Sequence, residues 1–159
     1  AILNGLSPKK NRKIPLLRYA DVTTVKNSFP DLEFYLNGGV EDISEIKKNI
    51  DKFDGLMIGR RIYDNPMFLN EIEEQIYNNE ETLSRKSILE KYLKYALSLQ
   101  NKDTSNYLLL RHLFSLYYNT SSSKKWKKFL HDIIQSDKEI ELITNFEEST
   151  YGEEIKAYR

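Results

Sequence analysis

Two short stretches hold the residues best suited to chemistry. Asn37-Gly38-Gly39 closes an apolar run from Leu32 to Leu36, and a helical pattern follows from Val40. Gly59-Arg60 closes a second apolar run, Leu56-Met57-Ile58. Glycines at a strand end let main-chain N–H groups approach a ligand with no Cβ in the way. A helix beginning there adds orphan N–H groups and a partial positive charge. That combination suits an anion, most often phosphate. Arg60 adds a forked donor for phosphate oxygens. Each stretch alone is also an ordinary turn; the two in tandem, both at apolar strand ends, favour phosphate.

Such loops need a sheet behind them. Residues 18 to 28 are helical by period, with Tyr19, Val22, Val25 and Phe29 on one stripe, and Pro30-Asp31 ends the pattern. Leu32 to Leu36 reads as a strand. Val40 to Asp51 reads as an amphipathic helix with Ile43, Ile46 and Ile50 aligned, and residues 56 to 59 read as a second strand. A third helix is expected near Asn65, with Pro66 in its first turn. Short, wholly apolar strands alternating with helices predict a parallel sheet buried on both faces. One helix-plus-strand repeat separates Asn37 from Gly59, so the two strand ends are expected to be neighbours. In a (β/α)8 barrel the loops after the last two strands are the usual phosphate site.

The strand signals then stop. Leu83 to Leu99, Asn106 to Tyr118 and Lys124 to Gln135 are helical by period, separated by NKDTS and TSSS. Ile88, Tyr92, Tyr95 and Leu99 form one expected stripe, and Tyr107, Leu110, Leu113, Phe114 and Tyr117 another. Facing each other, they would close a helical bundle. From Asp137 the chain carries seven acids against two lysines and one arginine, which suits a last short helix and a solvated tail.

Among the 159 residues there is no cysteine. That excludes disulfides, thiolate metal sites and a cysteine nucleophile within these residues, and suits a reducing compartment. No apolar run reaches the length of a membrane span, and the first residues do not read as a signal peptide. Formal net charge is zero, yet the cations are clustered. Lys9, Lys10, Arg12, Lys13 and Arg18 form one basic group, and Lys124, Lys125, Lys127 and Lys128 another around Trp126. Such patches suit a phosphate backbone. A solvated helix face would give the second cluster equally well. Trp126 reads as core, on a stripe with Phe129, Leu130 and Ile133. His112 is expected to pack or face RNA, and His131 to lie on the surface.

The order NGLSPKKNRKIPLLRY, LNGGV, DGLMIGRRIYDNP and RHLFSLYYN…KKWKKFL resembles the C-terminal half of tRNA-dihydrouridine synthases of the A subfamily. The resemblance covers nearly the whole chain and is poor in the acidic tail. It implies an α/β fold: strands seven and eight of a (β/α)8 TIM barrel, followed by an all-α helical bundle. The implied domains are 1–72 for the barrel part, 73–145 for the helical tRNA-binding part and 146–159 for the tail. The implied activity is reduction of D-loop uridine to 5,6-dihydrouridine in tRNA, with FMN as cofactor and NADPH as reductant. Asn37, Gly38, Gly39, Gly59 and Arg60 would touch FMN; Lys9, Arg12, Lys124 and Lys127 would touch tRNA. Arg61 stands where many of the wider family have a small residue. The family's catalytic cysteine, and the lysine and histidine that hold its flavin, would lie upstream of Ala1, leaving no catalytic residue here and a fragment inactive alone. A cytoplasmic monomer, with no metal and no membrane partner, is expected.

Two other readings compete. The chain could be a non-catalytic tRNA-binding helical module joined to a phosphate-binding half-barrel, or part of another phosphate-binding barrel enzyme, which the basic patches disfavour. Two barrel strands leave open edges. Residues 1–72 are therefore expected to be loose in isolation, while the helices from 73 to 136 keep a cooperative fold.

Overall fold

Pro30 and Asp31 break the first helical pattern, and the computed structural model follows them. It describes residue 7 and residues 17–101, 103–136 and 139–146. Helix α1 is Tyr19–Ser28. Strand β1 is Tyr35–Asn37, helix α2 Ile43–Asn49 and strand β2 Gly55–Met57. Then come α3 Arg60–Asp64, α4 Phe68–Tyr77, α5 Arg85–Leu99 and α6 Asn106–Leu110. A 3-10 turn Arg111–Leu113, helix α7 Ser123–Gln135 and a 3-10 helix Ile140–Asn145 complete the order. The chain divides into two compact units, Ala1–Gly59 and Arg60–Arg159. It is helix-rich with one small sheet.

In the first unit β1 and β2 pair in parallel, Tyr35 with Gly55, Leu36 with Leu56 and Asn37 with Met57. The strands are shorter than the apolar runs: residues 32 to 34 lie outside β1, and Ile58 and Gly59 outside β2. Burial on both faces is not observed. Leu36 is buried, but Tyr35 and Met57 are 63% and 57% exposed. Among the described residues the sheet has two strands only; the Tyr35 ring lies over Gly55 on the partner strand and its hydroxyl donates to Glu33. Helix α1 likewise buries none of its residues. Among the unit's described residues the buried apolar ones are Leu36, Val40, Ile46 and Phe53.

Asp54 binds this thin unit together. Its carboxylate accepts from the Lys26 ammonium on α1 and from the Phe34 amide at 2.8 Å, while its own amide donates to the Phe34 carbonyl at 3.0 Å. The Lys26 ammonium, then the Phe34 N–H, hold its carboxyl below the usual range.

The second unit has a conventional core. Leu89, Ala96, Leu109, Leu110, Leu113 and Leu116 surround Trp126, Leu130, Ile133, Ile140 and Ile143. Trp126 is fully buried and donates its indole N–H to the Leu113 carbonyl at 2.7 Å, which removes the cost of burying that donor. Ser84 and Ser105 cap α5 and α6 through their hydroxyls.

Several expected details shift. The stripe on α5 runs through Leu89 and Ala96, while Tyr95 and Leu99 are exposed; small Ala96 faces the core and the large tyrosine does not. Tyr107 is exposed, and Asn106 to Tyr118 is not one helix. It passes into the 3-10 turn at Arg111, and Asn119, at φ +57°, sits in the left-handed region where the chain leaves these turns. Residues 60–72, read from sequence with the barrel part, cluster with the helical unit, where Met67 packs on the core. The expected tail beyond Phe146 lies outside the described residues.

Candidate functional site

The parallel register sets the site. Asn37 and Met57 are partners, so the segments Gly38-Gly39 and Ile58-Gly59 leave the sheet side by side at the carboxyl end of both strands, about 5 Å apart at the last pair. Gly38 and Gly39 have φ +118° and +69°, conformations that cost an L side chain dearly. They also meet α1. A Cβ on Gly39 would collide with the Leu17 side chain and lie 2.6 Å from the Tyr19 hydroxyl; one on Gly38 would lie 3.0 Å from Leu17. On one side, then, the glycines serve packing.

Tyr19 donates its hydroxyl to the Gly38 carbonyl at 2.7 Å. Carbonyl and N–H of a trans peptide point in opposite directions, so the Gly39 N–H is turned away from Tyr19. Among the described residues, a Cβ on Gly59 would meet nothing within 4 Å. Arg60, the next residue, opens α3 in the second unit.

The predicted contribution of a helix start fails at the first loop. Helix α2 begins at Ile43 rather than Val40, and the Asp42 carboxylate caps it by accepting from the Glu45 amide at 2.9 Å and the Ser44 hydroxyl at 2.6 Å. That N-terminus already holds its own anion. A phosphate near Gly38 and Gly39 is therefore left with loop amides, not with a helix dipole. This donor set fits the phosphate end of a flavin nucleotide: main-chain N–H groups on a backbone without Cβ atoms.

The two basic groups differ. Lys9, Lys10, Arg12 and Lys13 lie outside the described residues. Lys124 and Lys127 are exposed on α7, as is Lys128, while Trp126, Leu130 and Ile133 on the same helix are buried. Positions 124, 127, 128 and 131 recur at helical spacing, so three ammonium groups and His131 share the solvent face. Lys125 lies 5.5 Å from the centroid of the Phe146 ring.

His112 is exposed; it accepts from the Arg111 guanidinium at 3.1 Å and meets the Tyr63 ring edge-on at 5.8 Å. Sequence reasoning missed Tyr63 as its neighbour, because no spacing rule joins positions 63 and 112. Arg61 stacks over the Phe68 ring at 4.8 Å, with a buried Nε that has no hydrogen-bond partner among the described residues. Among the described residues no group of three or more His, Cys, Asp or Glu could hold a metal ion, and no helix is long and apolar enough to cross a membrane.

The glycine loops at parallel strand ends belong to the strand unit, and the basic face of α7 belongs to the helical unit. The family model described as Dihydrouridine synthase (Dus) matches residues 2–154, and the chain belongs to that family. It is 36% identical over 133 residues to the tRNA-dihydrouridine(20/20a) synthase of Haemophilus ducreyi, covering 83% of this chain and 41% of that protein. Against the synthase of the same name from Synechocystis sp. it is 38% identical over 134 residues, covering 83% and 40%. Against that of Shigella flexneri it is 32% identical over 138 residues, covering 83% and 39%. The chain thus spans about two-fifths of the length of the curated relatives it matches.

Proposed function

We propose that this chain supplies the phosphate anchor and the RNA-binding surface of a flavin-dependent tRNA-uridine reductase, which converts D-loop uridine to 5,6-dihydrouridine with NADPH as reductant. The observation that carries the reading is the pairing of the Gly38-Gly39 and Gly59 loops at the carboxyl ends of two parallel strands, in a chain of this family. On this reading β1 and β2 are strands seven and eight of a (β/α)8 barrel, and the helices after them form the tRNA-binding bundle.

Bound FMN supplies the hydride for the 5,6 double bond. The chain's own residues hold and orient. The amides of Gly38, Gly39 and Gly59 bind the phosphate tail, and Asn37 borders them. Arg60 joins this set on its sequence position. Fixing the tail fixes the distance from ring to base. The resemblance assigns the proton for the second carbon to a cysteine, and these residues contain none. Lys124 and Lys127 engage the tRNA backbone, with Lys9 and Arg12 assigned by resemblance; recognition rests on shape and phosphates, and is salt-dependent. The reading carries a cytoplasmic monomer.

Mass spectrometry of the cofactor released from the full-length protein tests the flavin part: FMN is expected, and a well-folded protein that neither carries nor binds FMN contradicts it. For the RNA part, the variant Lys124→Glu/Lys127→Glu should bind tRNA more weakly, with its salt slope reduced by about two; unchanged binding removes the assignment. A non-catalytic RNA-binding module is the second reading, favoured by the self-contained core of the helical unit. Flavin absent with tRNA binding intact would select it.

A further inference from the structure

Tyr19 reaches across 19 residues of chain to place its single hydroxyl on the Gly38 carbonyl, 2.7 Å away and half-buried. Burial, with Glu45 and Glu41 nearby, raises its pKa, so the phenol stays a donor at neutral pH. The bond acts on a backbone that needs holding. Gly38 and Gly39 both lie at positive φ, and two consecutive glycines have many conformations open to them. The peptide between them is the one whose N–H belongs to Gly39. With its oxygen fixed on Tyr19, that N–H is fixed in the opposite direction. Leu17 lies against the same two glycines on the side of Tyr19.

We propose that Tyr19 is a positioning residue for phosphate: its hydroxyl locks the Gly38–Gly39 peptide so that the Gly39 N–H faces the flavin's phosphate group. The proposal rests on the flavin reading above and adds a specific dependence to it. Tyr19 touches no reacting atom; it acts through the peptide it holds. A merely structural role for Tyr19 would be ring packing, which phenylalanine preserves. The hydroxyl alone should therefore separate the two roles.

The test compares FMN with riboflavin, which lacks only the phosphate. Both are titrated into apo full-length protein, wild type and Tyr19→Phe, with thermal unfolding measured alongside. The wild type should favour FMN. The variant should bind FMN about three- to tenfold more weakly, the range of one hydrogen bond, while riboflavin affinity and the unfolding temperature stay put. Unchanged FMN affinity overturns the proposal, and so does an equal loss for both ligands, which would mean a role in folding. A wild type with no preference for FMN over riboflavin overturns the phosphate reading itself. If the variant fails to fold, the wild-type amide resonance of Gly39 decides: it should shift on FMN and not on riboflavin, and an equal response to both overturns the proposal.

Discussion

The two units hold the residues proposed to meet ligands in opposite ways. In the helical unit the cationic face of α7 rests on the reverse of a helix whose Trp126, Leu130 and Ile133 are buried in a continuous core. Among the described residues of the strand unit the glycine loops rest on two three-residue strands, four buried apolar side chains and one carboxylate that ties α1 to both strands. Surface charge needs only a stable support. A loop that must aim a single amide needs its conformation specified, and here Tyr19 and Leu17 provide that locally where the core is too small to do so.

The sharpest way to break the contrast is to remove a core residue from the strong side. Trp126→Ala should cost about 3–5 kcal/mol, since it deletes a fully buried ring and takes the indole donor from the Leu113 carbonyl, which keeps the Leu116 amide at 3.0 Å. Denaturant unfolding followed by circular dichroism would register it; a loss below 1 kcal/mol would mean that the helical unit does not depend on this core.

Next in size is a pair of substitutions on the weak side. Gly39→Ala forces a side chain into positive φ and against Leu17 and Tyr19, at a cost of about 1–3 kcal/mol. Gly59→Ala meets nothing within 4 Å among the described residues and should alter stability by less than about 0.5 kcal/mol, while still weakening FMN through its new Cβ. Equal destabilisation by the two would remove the distinction drawn between these glycines.

The smallest expected effect is a matter of pH. The Asp54 carboxyl is held low in the folded state by Lys26 and the Phe34 N–H. The stability it adds is thus fully present above the unfolded value of about 3.9. It is lost as pH falls through the lower folded value. The protection factor of the Phe34 amide, its exchange rate divided into the intrinsic rate at each pH, should fall on acidification across that window, and Asp54→Asn should abolish the fall. An acid response that survives the substitution would assign it to another group.

What could be read in the sequence follows the same division. The period from 18 to 28 and that from 124 to 135 delimit α1 and α7 within a residue, and Trp126 is core as its stripe implies. The strands were located but not their exposure, because an apolar run carries no information on how many neighbours its sheet has. The start of α2 was misplaced although Asp42 and Glu45 have capping-box spacing; the glycine pair drew the boundary forward. On α5 the expected stripe holds at Ile88 and Tyr92, which pack on the core, and not at Tyr95 and Leu99, because Ala96 is the residue small enough to face the core there. The Tyr19–Gly38 bond had no signal, since nothing local in a sequence joins positions 19 residues apart.

Amide hydrogen exchange on residues 1–159 measures the contrast directly. The amides of Leu110, Trp126, Leu130 and Ile133 should exchange only through cooperative unfolding, whereas those of Tyr35, Leu36, Leu56 and Met57 should exchange orders of magnitude faster through local opening. Equal protection in the strands and the helical core would show that the glycine loops stand on a support as firm as the helical one, and would contradict the account.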